Sequence, residues 1–230
     1  MAEKIHVAIL DDHPSIIDGY VYRLSFTPEI KVVATGCYGE ELDSMLAESH
    51  VDVLLLDVSV PTSKDNLHPF PILHTIPQLL QAYPHLNILV ISMHDQRNLI
   101  KAVLEAGASG YIFKDDHILL KELGATVRSL ANGGICISRS IHEMLLKGWE
   151  QDTILTPRQG EILSLLTAYP DLTVANAAIK LNITHSTARS LMSGAYLRLG
   201  VRNRSAAIAK ARQLGLVTPI DPSVDDTLIN

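Results

Sequence analysis

The chain has 230 residues, 47% hydrophobic and 19% charged, enough apolar material for one or two buried cores and too much for a disordered polymer. No stretch reaches the roughly 18–20 consecutive apolar residues of a membrane span, and the start "MAEKIHVAIL" lacks the long apolar region of a signal peptide, so no membrane association and a cytoplasmic location are expected. The net charge of −6 hides an asymmetry: residues 1–152 carry 11 Lys and Arg against 20 Asp and Glu, whereas residues 153–217 carry 8 against 2.

In chain order, the apolar runs "IHVAIL", "IKVVAT", "VDVLLLDV", "NILVISM" and "GYIF" read as buried strands. Between and after them lie amphipathic stretches at 14–25, 38–48, 72–83, 96–106 and 117–131. Strands alternating with helices predict right-handed crossovers and an α/β fold, a (βα)5 doubly wound parallel sheet over residues 1–134. Ligands of such sheets bind beyond the carboxyl ends of the strands. There stand Asp11 and Asp12 after the first strand, Asp57 after the third, Ser92 at the end of the fourth and Lys114 after the fifth.

Two adjacent carboxylates at the end of an apolar strand repel each other and lose water, which costs stability unless a cation or a hydrogen-bond network compensates. Three carboxylates make a hard-oxygen site suited to Mg²⁺, and a lysine with a nearby hydroxyl can hold phosphate oxygens. The pattern points to phosphoryl transfer to Asp57. The two cysteines, Cys37 and Cys136, lie far apart and outside any CxxC, as expected of reduced thiols.

Here the sequence resembles the two-component response regulators, whose receiver domains carry an acidic pair, a phosphoacceptor Asp, a Thr or Ser, and an aromatic three residues before a Lys. The matching positions are Asp11 and Asp12, Asp57, Ser92, Tyr111 and Lys114. The resemblance implies phosphorylation of Asp57 by a sensor histidine kinase. It implies Mg²⁺ held by Asp12 and Asp57, with Asp11 beside them and the carbonyl of Ser59, and switching of Ser92 and Tyr111 with the phosphate. One stretch departs from the family. After Pro61 the chain reads "TSKDNLHPFPILHTIPQLL", with extra residues, no glycine, and prolines at 69, 71 and 77. Pro77 inside a helix would cost about 3 kcal/mol. The third helix is therefore expected either to begin near Thr75, where "TIPQ" resembles a capping box, or to be kinked. A loop remodelled this close to Asp57 also raises an alternative, a receiver acting without phosphate as a dimerisation or ligand platform. His68 and His74 in it are not expected to bind metal.

Residues 135–152 read as a linker with some helical character. The basic segment then opens with "ILTPRQGEILSLL": Thr156 as N-cap, Pro157 at the first helical position and Gln159 completing a capping box. Further helices follow Thr173 and Thr184 (ending at Gly200), and the fourth is "SAAIAKARQLG", ending at Gly215. Four short helices with the tight "NIT" turn between the second and third predict an all-α helix-turn-helix module. Over residues 153–217 the chain resembles the LuxR/NarL/FixJ-type DNA-binding domain, most specifically in "LRLGVRNRS". The tail is 218–230.

By that resemblance Ser186, Thr187, Arg189, Ser190 and Ser193 face double-stranded promoter DNA. Arg189 is the best base or phosphate reader, and Thr184, Arg202 and Arg204 meet phosphates. Leu181, Ile183, Leu197 and Leu199 read as core. Arg189 is the single cation between Thr184 and Tyr196, so a monomer should bind DNA modestly and a homodimer is expected. An enzyme of the haloacid-dehalogenase type would also phosphorylate an aspartate at a strand end, but Ser59 stands where its second aspartate belongs. The expected function is a non-enzymatic transcriptional response regulator.

Overall fold

A computed structural model describes residues 4–146 and 154–218. The first part runs β1 (Ile5–Leu10), α1 (Pro14–Leu24), β2 (Ile30–Gly36), a 3-10 turn (Gly39–Glu41), α2 (Leu42–Glu48), β3 (Val53–Leu56), α3 (Ile72–Ala82), β4 (Asn87–Ser92), α4 (Arg97–Glu105), β5 (Gly110–Phe113), α5 (His117–Lys121) and α6 (Leu123–Ala131). It continues through β6 (Cys136–Ile137) and α7 (Arg139–Leu146). All six strands are parallel, in the order β2-β1-β3-β4-β5-β6.

Strand alternation sorts the core into two faces. Ala8 and Leu10 of β1 point to one side, where α2, α3 and α4 deliver Leu42, Ile72, Ile76, Leu99 and Val103. Val7 and Ile9 point to the other, against Ile17 and Leu24 of α1 and Leu123, Val127 and Leu130 of α6. The fifth amphipathic stretch is two helices, α5 and α6, rather than one.

Two expectations need correction. The stretch read as linker from 135 begins with β6, whose Cys136 and Ile137 lie beside Gly110 and Tyr111. Glycine at 110 makes this possible, because a Cβ there would lie 2.2 Å from the carbonyl oxygen of Cys136. Two residues are too short a run for alternation to reveal. Then α7 follows, burying Ile141 against the first face, and the rest of the expected linker, 147–152, lies outside the described residues, as does the tail from 219.

The third helix spans Ile72–Ala82, in keeping with the amphipathic stretch at 72–83 and not with a start near Thr75, and it runs through Pro77. Thr75 is no cap: its hydroxyl donates to the carbonyl of Pro71 at 3.1 Å. Pro77 withholds an N–H from the turn before it, a cost of about 3 kcal/mol. Burying Ile72, Leu73, Ile76 and Leu79 outweighs that, at about 1.5–3 kcal/mol per side chain.

The second part comprises α8 (Pro157–Ala168), α9 (Val174–Lys180), α10 (His185–Leu199) and α11 (Arg204–Gln213) around a core of its own. Thr156 accepts from the N–H of Gln159, whose side chain accepts the N–H of Thr156, closing the expected box. Gly200 ends α10 in the left-handed region at φ 68°. Along α10 the buried positions are Ala188, Met192, Ala195 and Leu199. That phase turns Leu197 outward, so Leu197 is 83% exposed and not core, while Leu181 and Leu199 are buried and Ile183 half-buried.

Candidate functional site

Strand register assembles the acidic pocket. Leu10 of β1 sits beside Leu56 of β3, so the next residues, Asp11 and Asp57, emerge side by side, and the N–H of Asp57 donates to the carbonyl of Leu10. Ser92 pairs with Phe113 across β4 and β5, and the N–H of Lys114 donates to the Ser92 carbonyl at 2.9 Å. Four residues scattered from 11 to 114 thus meet where the order reverses between β1 and β3, the topological switch point.

The Lys114 ammonium lies 2.7 Å from Asp11 Oδ2 and 2.9 Å from Asp57 Oδ2, and both carboxylates are almost fully buried. Asp57 Oδ1 accepts the N–H of Val58 at 2.7 Å, and Asp11 Oδ1 accepts that of His13 at 3.0 Å. Burial pushes the Asp11 carboxyl above the usual aspartate value, the neighbouring Asp57 charge adds to this, and Lys114 opposes it. Burial raises Asp12 too, against the pull of His13, whose Nδ1 lies 2.7 Å from Asp12 Oδ1. Burial favours a neutral Lys114, but Asp57 and Asp11 overcome it and hold its pKa up. One ammonium thus serves two buried carboxylates, and a third is close by.

That donor set fits a hard divalent cation: ligand atoms of Asp11, Asp12 and His13 lie within 4.8 Å of one another, and the surplus buried negative charge favours a second positive centre. Ser59, expected through its carbonyl, also bonds through its hydroxyl to His94 Nε2 at 2.6 Å. His94 is a residue that sequence reasoning missed. Its N–H donates to Ser92 Oγ at 3.2 Å and its carbonyl accepts from the Tyr111 hydroxyl at 2.8 Å, so it ties Ser59, Ser92 and Tyr111 into one network. Tyr111 is fully buried, which drives its phenol pKa upward. The only sequence signal for His94 is its place two residues after the strand-four serine.

The remodelled loop beside Asp57 is tied together by its own backbone hydrogen bonds. Pro61 and Pro69 form an antiparallel bridge, Thr62 donates its N–H and hydroxyl to the His68 carbonyl, and Phe70 donates its N–H to Val60. Phe70 closes over Gly39, where a Cβ would lie 2.1 Å from the ring. His74 lies 3.2 Å from Glu161 across the two parts of the chain.

In the second part, Ser186, Thr187, Arg189, Ser190 and Ser193 are exposed on α10, as are Thr184 at its start and Arg202 beyond its end. Thr184 doubles as the N-cap, accepting the N–H of Thr187. Arg204 has a different place from the one expected. Its guanidinium donates to the carbonyls of Leu172 (2.6 Å), Leu166 (3.0 Å), Tyr169 (3.1 Å) and Pro170 (2.7 Å). It therefore ties the end of α8 and the following turn to the start of α11, because a planar fork can answer several carbonyls at a helix end at once.

The family of the response regulator receiver domain matches residues 7–124. The transcriptional regulatory protein DegU of Brevibacillus brevis is 29% identical, over 93% of this chain and 95% of its own. The transcriptional regulatory protein MctR of Rhizobium johnstonii is 26% identical, over 94% and 97%. A solved structure of RcsB from Salmonella enterica serovar Typhimurium, bound to promoter rprA in the presence of the phosphomimetic BeF3−, is 25% identical with a TM-score of 0.62, covering 90% of this chain and 98% of that one. A structure of two RcsB dimers bound to two parallel DNAs is 25% identical with a TM-score of 0.56, over 90% and 98%.

Proposed function

The chain belongs to the response regulators, and from that premise we propose that it is a DNA-binding transcriptional regulator switched by a phosphoryl group on Asp57. The observation that carries this reading is the Lys114 ammonium shared between the buried carboxylates of Asp11 and Asp57.

An Asp57 carboxylate oxygen attacks the phosphorus of a donor, a phosphohistidine of a sensor kinase, and the P–N bond breaks as the new P–O bond forms. Asp11, Asp12, Asp57 and the Ser59 carbonyl would hold Mg²⁺, which would supply positive charge beside the phosphoryl oxygens. Val58 N–H holds Asp57 Oδ1 in place before attack. Lys114 then exchanges its contact with an Asp57 oxygen for one with a phosphoryl oxygen, keeping a charge-assisted bond throughout. The Ser92 hydroxyl donates to the phosphoryl group, and because Ser92 Oγ also takes the His94 N–H, movement there reaches Tyr111 and Ser59.

The output is the basic second part. The exposed face of α10 enters a major groove, with Arg189 at a base edge or phosphate and Thr184 and Arg202 on phosphates. Two copies bind together, because a single monomer has few cations to displace counterions.

Intact mass after incubation with Mg²⁺ and a small phosphodonor tests the switch. One added phosphoryl group is expected on wild type and none on Asp57→Asn; folded wild type that stays unmodified would refute phosphoryl control.

A further inference from the structure

The DNA-binding part is not free of the receiver, and the contact is built largely from the segment that departs from the family. The packing runs through α3 and α4 against α8. Asn66, at the tip of the loop after Asp57, donates its side-chain amide to the Ala168 carbonyl at the end of α8, at 2.9 Å. His74 of α3 meets Glu161 of α8 at 3.2 Å, with both side chains buried, and Arg158 closes the other oxygen of Glu161 at 2.8 Å. Asn98 of α4 donates to the Leu214 carbonyl at the end of α11, at 2.9 Å. Gly215 rests on Gln96, where a Cβ would lie 2.4 Å from the glutamine side chain.

Every one of these anchors belongs to α8 or to the end of α11. The proposed reading residues of α10 take no part: Thr184, Ser186, Thr187, Arg189, Ser190, Ser193 and Arg202 all remain exposed with the two parts packed together. Docking therefore uses one side of the helical module and leaves the other in water. The segment supplying Asn66 and His74 also descends directly from the phosphoacceptor, so one stretch of chain carries both the switch and the docking surface.

We infer that residues 62–74 dock the DNA-binding module with its reading face outward, so that the docked chain binds duplex DNA before Asp57 is modified. This rests on the DNA-binding reading above. Phosphorylation then governs how two bound copies are arranged, rather than whether α10 can reach a groove.

The test uses the full chain carrying Asp57→Asn, so that no phosphoryl group intervenes. One added substitution, His74→Glu, sets a like charge against Glu161; a milder pair, Asn66→Ala with Asn98→Ala, removes the two amide anchors and serves if the first variant misfolds. Small-angle scattering reports docking, and fluorescence anisotropy with a roughly 30-base-pair mixed-sequence duplex at low salt reports binding. The undocked variants should enlarge in radius of gyration while their DNA affinity stays within about two-fold of the docked protein. An affinity gain of about ten-fold or more on undocking, the size of an ordinary allosteric coupling, would show that docking masks the reading face and would overturn the inference. Variants that fold but do not enlarge would overturn it as well, since these residues would not be what docks the module. Failure of every form to bind DNA would instead refute the DNA-binding reading itself, and the inference with it.

Discussion

Replacing Arg204 with alanine separates two roles for one residue. As a phosphate contact, Arg204 would matter to DNA and not to folding; in the structure its fork serves four main-chain carbonyls. Nη1 bonds one of them and Nη2 shares its two hydrogens among three, which amounts to about three independent bonds. At about 1 kcal/mol each, the ordinary net value and a discounted one for a partly solvated charged donor, the loss is about 3 kcal/mol. A module of roughly 60 residues has only about 3–9 kcal/mol in total, so this is a large share. At about 4–8 °C per kcal/mol in so small a unit, the melting of the helical module should fall by about 12–24 °C. Circular dichroism melts of the full chain read this directly, and Arg204→Lys, which cannot fork, should recover only a minor part. A melting temperature within about 2 °C of wild type, with DNA affinity lost, would return Arg204 to the phosphates and refute the reasoning.

Asp12→Asn removes a carboxyl whose charged form burial disfavours, so the variant should be more stable than wild type at neutral pH, by about 1 kcal/mol, while Mg²⁺ affinity measured by calorimetry falls about ten-fold. Leu197→Ser should leave stability within about 0.5 kcal/mol, because the side chain stands in solvent, whereas Leu199→Ala, two residues on and buried, should cost about 2–4 kcal/mol in denaturant titrations. Burial would raise the Glu161 carboxyl, but His74 and Arg158 bring its pKa below the ordinary value of 4.5. Its contribution to docking is therefore complete above pH 4.5 and is lost as pH falls through the lower folded value, so scattering should show the two parts loosening on acidification, and Glu161→Gln should flatten that acid limb.

Much of the fold was legible because the signals were local and strong. Apolar runs such as "VLLL" and "NILVIS" mark buried parallel strands, and the Thr156 and Gln159 pair marks a helix start, since each rests on neighbours a few positions apart. The acidic pocket was legible for another reason: in a parallel sheet, residues just past the strands must share one edge, so Asp11, Asp57 and Lys114 could be brought together from topology alone. Long-range contacts were not legible. Nothing near Arg204 in the chain shows that the carbonyls of residues 166–172 lie within its reach. The length of β6 hides it from any periodicity, and Leu197 reads as core until the phase of α10 is fixed by Ala188, Met192, Ala195 and Leu199. Pro77 misleads in the opposite direction: a residue that discourages helix locally is overruled by the apolar surface its helix buries.

The two residues of β6 also bear on solubility. A parallel sheet that stopped at β5 would present the N–H and C=O groups of Gly110 and Tyr111 as a template for strands of other molecules, a common start of aggregation. Cys136 and Ile137 occupy that template within the same chain, and at Ser138 the backbone turns away into α7 before a long new edge can form. A bulkier residue at 110 would push this cover off, so Gly110→Val should show itself first as a protein that precipitates at high concentration, with its acidic pocket still assembled at the far end of the strands.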